Sequence, residues 1–469
     1  MNINGLVIVF ILVNAVALLT LPRRWAPLPL LIGACYVTLG QGIELGPLHF
    51  TVIRMLVAVG ILRVIMRGER LAGRMNGLDW LMAVWAGWAL ISSLFYQDVS
   101  GAFVNRLGLV YNSCGIYFLL RVFCQTLDDV VGLCRVTAIL LVPVALEMLF
   151  EKLSQQNLFS VLGGIPEGPA IREGRIRAQG PFAHAILAGT VGAVCLPLIL
   201  ALWQRHRKEA VIGVATCAVM IFAAASSGPI VGALAGVGAL FMWRYRDRMR
   251  LVRWLAVLGY VGLDLVMQAP AYYLIGRFDL AGGSTGYHRA ALMESAIIHL
   301  DEWWLAGTDY TRHWMASGVS WSLEHTDITN HYLQMGVTGG LPLMLLFIAV
   351  LGKGFSFVGR TMRQEPELPL ESQFMIWALG ASLFANATNF LAVSYFDQSF
   401  VFIYLTLAAI GSVHSSSAPV GSVLPAADNM RFSPGPAKRM GMVESPSGKP
   451  DSDGHNPVFL SKQSRKICR

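Results

Sequence analysis

Apolar runs of about 17–23 residues recur along the chain as far as about residue 413, each long enough to cross a hydrocarbon core of about 30 Å. Their approximate ranges are 4–21, 25–41, 48–66, 77–95, 102–123, 130–150, 181–203, 210–226, 228–243, 251–274, 333–352, 372–393 and 397–413. In lipid every backbone N–H and C=O must be paired within the protein, which leaves only helices and closed barrels. The runs lack the two-residue alternation of a barrel strand. The pattern predicts an all-α, polytopic transmembrane helix bundle of about 12–13 spans.

Between the runs, connections rich in Arg alternate with connections almost free of it. Arg23 and Arg24, then Arg63 to Arg74, Arg121 and Arg135, Arg205 to Lys208, Arg244 to Arg253, and Lys353 to Arg363 form the basic set. The positive-inside rule places that set in the cytoplasm, with the other connections on the outer face. The chain then divides into N-terminal helices (1–150), a first outer loop (151–180), central helices (181–274), a large outer loop (275–332), C-terminal helices (333–413) and a cytoplasmic tail (414–469). The Ser, Pro and Gly content of the tail is that of a disordered segment. The first run has neither a leading basic region nor a small-residue cleavage site and is expected to be a retained helix.

Composition agrees with a membrane solvent. The chain is 55% hydrophobic and 14% charged, against about 25% charged for soluble domains. Its net charge of +8 belongs to cytoplasmic anchoring beside anionic lipid and implies no nucleic-acid partner. Seven cysteines show no metal or disulfide spacing, and six lie in or beside apolar stretches, as small buried residues do.

The two long outer loops concentrate the polar chemistry. Loops beyond about 12–15 residues without structure of their own are uncommon and often functional. The second holds five of the ten histidines (His288, His299, His313, His325, His331), together with Trp303, Trp304, Trp314 and Trp321. From Tyr287 to Leu305 its apolar residues recur at helical spacing, predicting an amphipathic helix along the membrane surface. The first loop ends in Gly174-Arg175-Ile176-Arg177, then Gly180-Pro181, with Pro181 suited to the first position of the next helix. Arg177 and Arg289 oppose the charge bias of their face, and an Arg fork matches phosphate oxygens. His325 and His331 flank Asp327, and a neutral His near a carboxylate can take a proton from a hydroxyl. No His-x-x-x-His or His-Glu-x-x-His spacing marks a zinc site, so neither a metal nor another cofactor is expected.

The order of these features resembles the bacterial O-antigen ligase and O-antigen polymerase family of membrane glycosyltransferases. The resemblance rests on Arg177-x-x-Gly180-x-Phe182-x-His184, on Arg289 before the Trp-rich segment, and on Asn330-His331-Tyr332-Leu333-Gln334 followed by Gly336-x-x-Gly339-Gly340. It covers about residues 170–355 by motif. It implies a polyprenyl-diphosphate-linked glycan as donor and a sugar or lipid-linked acceptor, in lipopolysaccharide or exopolysaccharide biosynthesis. Other polysaccharide-assembly proteins are further expected partners. Arg177 and Arg289 would hold the diphosphate, with Arg175 and His288 beside them, in a metal-independent transfer. Where the family motif carries its histidine this chain has Thr329. His331 lies two positions later, about 200° around a helix, and His325 four positions earlier in the loop; His325 is favoured as the base. Ligase and polymerase share the donor and differ in the acceptor.

Two other readings stand beside the enzyme. A transporter or flippase would place charges within spans near the midplane. Arg54, Glu147 and Asp264, with Arg106 near an outer end, are the few of that kind. A scaffold within an assembly complex would leave the loop arginines dispensable.

Overall fold

The structure, a computed structural model, describes residues 3–46, 48–277, 286–319 and 322–417. Helices occupy all thirteen apolar runs. In chain order they are α1 (Gly5–Thr20), α2 (Pro27–Tyr36), α3 (Val52–Arg67), α4 (Gly77–Ile91), α5 (Val99–Phe123), α6 (Leu127–Ser154), α7 (Ala185–Ala201), α8 (Arg207–Ala224), α9 (Ser227–Phe241) and α10 (Met249–Val266). The polar stretch after α10 contributes α11 (Gly286–Ile298) and the single turn α12 (Leu300–Trp303). Then come α13 (His331–Gln364), α14 (Leu370–Asn389) and α15 (Phe400–Ser416). Two short hairpins complete the fold: β1 (Gly42–Leu45) with β2 (Leu48–Thr51), and β3 (Ala170–Arg172) with β4 (Arg175–Arg177). The tail from 418 onward, and with it the expected disorder, lies outside the described residues, as does Trp321.

Among the described residues, four helices are long and apolar enough to cross a membrane: Gly77–Phe95, Leu127–Ser154, Ala185–Gln204 and His331–Gln364. Gly5–Thr20 and Phe400–Ser416 are shorter apolar helices. The chain is thus an all-α, multi-pass membrane protein. The expectation of 12–13 full spans is reduced because several runs fold into helices of unequal length. The run at 25–41 gives only the 10 residues of α2, and α3 and α5 carry arginines within the helix. α7 forms the centre. In its apolar window 83% of residues are buried, against α8, α9 and α14. Glycines bring α9 close to two neighbours: a Cβ on Gly236 would stand 2.7 Å from Pro197 Cγ on α7, and one on Gly228 3.3 Å from Ala392 Cβ beyond α14. Small residues permit this approach where lipid supplies no hydrophobic drive between helices.

Two arginines buried between the helices are paired with carboxylates. Arg121 of α5 and Asp79 of α4 are both fully buried and bonded through Nε–Oδ1 and Nη2–Oδ2, each at 3.0 Å. Tyr117 adds an O–H bond of 2.6 Å to the same carboxylate. Arg63 pairs with Glu69 at 2.8 Å. Such pairs survive burial because each charge meets its opposite with good geometry.

α13 is broken at Gly339 and Gly340, the latter at φ 76°. Carbonyls freed at the break are taken up by other side chains. Trp88 Nε1 donates to Gly339 O at 2.8 Å, Arg106 Nη2 to Thr338 O at 2.7 Å, and the Tyr96 hydroxyl to Val337 O at 3.0 Å. The segment 304–308 crosses α13 at this point, with Leu341 N–H donating to Trp304 O and Thr308 N–H to Val337 O. Only glycine fits, since a Cβ at 340 would lie 2.2 Å from Leu305 O. The break therefore fixes the path of the outer loop at 304–308.

Candidate functional site

Residues 170–177 form a hairpin with register Ala170–Arg177, Ile171–Ile176 and Arg172–Arg175. Its two-residue turn, Glu173-Gly174, has φ of 49° and 73°, the positive pair that a type I′ turn requires. Side chains alternate across a strand. Arg172, Arg175 and Arg177 consequently share one face, and Ile171 and Ile176 the other. Like charges opposite one another on a sheet face cost stability.

The chain then runs buried from Ala178 to Phe182 without becoming helical. Pro181 is not the first residue of the next helix, as the sequence suggested. Side chains satisfy this backbone instead. Glu151 Oε2 accepts from the N–H groups of Gln179 (2.9 Å) and Gly180 (2.8 Å). Asp397 Oδ2 accepts from Ala183 N–H at 2.9 Å, and Gln398 Nε2 donates to Pro181 O at 2.9 Å. His184 caps α7 through Nδ1, which accepts the Ile186 N–H at 3.2 Å. The helix starts one residue later, at Ala185.

Opposite the hairpin stand the start of α11, the segments 317–319 and 325–331, the first half of α13 and the connection 392–396. Together they enclose a cavity of about 960 Å³, near the upper end for a small-molecule site. All seven residues chosen from sequence line it: Arg175, Arg177, His288, Arg289, His325, Asp327 and His331. None of the cytoplasmically assigned basic clusters contributes to its wall. Sequence reasoning overlooked Arg172, which the alternation of Arg and Ile about Glu-Gly could have revealed. Ser226 and Ser227 bring the N-terminus of α9 to the cavity.

Four arginines and one carboxylate, Asp327, line this wall. Arg177 is 9% exposed, and its Nε is buried without a hydrogen-bond partner. Burial lowers its pKa, and neighbouring Arg172 lowers it further. Arg289, also 9% exposed, donates from Nε to Ala392 O at 3.1 Å. Burial again lowers its pKa most, then Arg172 and Arg177, while Asp327 works the other way. The Ser226 side chain makes no capping bond to α9, and helix N-termini attract anions through their N–H groups and dipole. Apolar wall residues (Leu109, Met335, Phe396) stand beside the charges.

The two histidines at the motif differ. His331 opens α13 and is 7% exposed, stacked on Phe390 with ring centroids 4.7 Å apart. Its Nδ1 accepts the Tyr395 N–H at 3.2 Å, which puts the proton of the neutral ring on Nε2. His325 lies in the loop with Nδ1 2.7 Å from Ser322 Oγ. The helical angle between positions 329 and 331 does not apply, because Asn330 is the N-cap and Thr329 precedes the helix. Thr329 lines the same cavity, and its hydroxyl is buried without a partner.

The expectation of a strictly metal-independent protein is corrected by a cluster outside the cavity. His299 Nδ1 and His313 Nε2 each lie 2.9 Å from Glu302 Oε1. The three ligand atoms are within 4.8 Å of one another, a set able to hold a metal ion. Spacing hid it, since His299 and Glu302 are one helical turn apart while His313 arrives from a separate 3-10 turn. Glu302 is hydrogen-bonded by Trp314, His313 and His299; burial opposes them, yet its pKa lies below the ordinary value.

Compared with protein-family models and with curated proteins, the chain has no match to either. The O-antigen ligase and polymerase resemblance stands on the residues alone.

Proposed function

We propose that this membrane protein transfers a glycan from a polyprenyl-diphosphate donor to an acceptor hydroxyl, as an O-antigen ligase or polymerase does. The observation that carries the reading is the cavity wall of Arg172, Arg175, Arg177 and Arg289. A diphosphate offers paired anionic oxygens that guanidinium forks match, and the apolar wall suits the first isoprene units.

In this reading the acceptor oxygen attacks the anomeric carbon, and the bond from that carbon to the diphosphate oxygen breaks. The electron pair leaves with the lipid diphosphate, where fixed guanidinium groups stabilise the charge that develops. The acceptor proton passes to His325 Nε2, Nδ1 being turned to Ser322. His331, with its proton on Nε2, donates a hydrogen bond rather than taking a proton. Asp327 orients the acceptor hydroxyl and faces Arg289, and His288 stands beside the diphosphate. The cavity would open to the periplasmic face of a bacterial inner membrane, where the charge rule places these loops.

Reconstituted protein given a lipid-diphosphate glycan and an acceptor tests the reading. Transfer by wild type that is lost in R177A and R289A, both still membrane-inserted, supports it. Equal transfer by all three sinks it. Passage of the donor across the bilayer with no transfer would make the protein a transporter instead.

A further inference from the structure

We propose that His299, Glu302 and His313 bind one divalent transition-metal ion of the zinc type, and that this ion staples the loop that carries His325. The site goes beyond the glycan-transfer reading and stands without it.

The donors are two imidazole nitrogens and one carboxylate oxygen, a set suited to zinc and its neighbours. They converge already: both nitrogens reach the same oxygen, Glu302 Oε1, at 2.9 Å. An ion in their midst needs contacts of about 2.0–2.2 Å, a small opening of the present hydrogen-bonded triangle. Each neutral imidazole frees its ligating nitrogen by moving its proton to the other ring nitrogen.

What surrounds the donors is the support expected of a metal centre. Trp314 Nε1 donates to Glu302 Oε2 at 3.0 Å, which leaves Oε1 as the ligand. The ring of His299 is stacked parallel to Trp314 at 5.9 Å, with 4° between planes. The ring of His313 is stacked on Tyr310 at 4.9 Å. Side-chain exposures of 30% and 32% leave room for a water as fourth ligand and for the ion to enter from solution.

The ligands come from two pieces of chain: the turn α12 with its N-cap His299, and the 3-10 turn Arg312–Trp314. An ion would tie them together. Backbone N–H groups of Thr311 and Arg312 both donate to Glu324 O at 2.9 Å, and Thr326 Oγ1 donates to Ser317 O at 2.8 Å. Rigidity imposed at His313 is thereby passed to His325 and to the cavity wall at 317–319.

The full-length protein, stripped with a chelator and dialysed against Zn²⁺ in lipid nanodiscs, provides the test. Bound zinc is counted by mass spectrometry in wild type, H313A and E302Q, and Co²⁺ absorption in wild type reports the ligand field. One more zinc per chain in wild type than in either variant is expected. Zinc should raise the melting temperature of wild type by several degrees and leave both variants unmoved. Equal zinc content in all three proteins overturns the site, as does a Co²⁺ spectrum of the free aquo ion. Zinc retained by wild type without any gain in melting temperature overturns the staple. None of these outcomes bears on transfer by the arginine cavity, which R177A and R289A test separately.

Discussion

Nδ1 of His331 accepts the backbone N–H of Tyr395 at 3.2 Å, across 64 residues of sequence. That bond ties the start of α13 to the connection before α15 and removes the ring's basic nitrogen from the cavity. In the proposed reaction H325A should lower kcat by about 10²–10⁴, the usual worth of a general base, with KM little changed. H331Q should reduce thermal stability more than it reduces kcat per folded molecule. A kcat for H325A within threefold of wild type would remove His325 from the role.

The arginines should not be interchangeable with lysine. R177A is expected to cost about 10²–10³ in rate, the range for losing one preorganised donor. R177K should recover little of it, because a lysine lacks the planar fork. Arg172 is exposed at the hairpin tip, and R172A should cost less than R177A. The rates of these variants, measured at saturating donor in nanodiscs, give the ranking.

At the break in α13, Gly340→Ala meets both a positive φ of 76° and a carbonyl oxygen 2.2 Å away. Strain of that kind costs about 1–3 kcal/mol before the clash is counted. Gly87→Ala on α4 is the control, since nothing lies within 4 Å of its Cβ position. The first should melt well below wild type in detergent, and the second at or slightly above it.

The buried pair of Asp79 and Arg121 predicts an asymmetric response. D79A leaves a guanidinium without its partner and should cost about 3–5 kcal/mol. Replacing both by apolar residues, as in D79L with R121M, should return much of that loss. Unfolding of the three proteins measured side by side would show whether the double variant is the more stable.

The helices were legible because apolar periodicity and length depend on lipid alone, and every run proved helical. The number of full crossings was not, because a run records composition and not where a helix starts. Pro181 opens a run, yet the helix waits for His184 to cap it. Glu151, Asp397 and Gln398 hold the intervening backbone from far along the chain. The charge pairs behaved likewise: Asp79 and Arg121 are 42 residues apart, and nothing local announces them. The cavity residues were legible as charges that break a topological rule. Their convergence was not, since it depends on the hairpin register and on segment 304–308 crossing α13. The cluster at His299, Glu302 and His313 was missed because its third member joins by tertiary folding and no short motif spans it.

The three arginines on one hairpin face have a further consequence. Each like-charged neighbour subtracts from the stability of the folded chain, and any anion that settles among them gives that energy back. By mass action a ligand that binds only the folded state adds RT ln(1 + [L]/Kd) to its stability. The melting temperature of this protein should therefore report any anion that settles there. A series of phosphates, diphosphates and lipid diphosphates could be ranked by it before any acceptor is known.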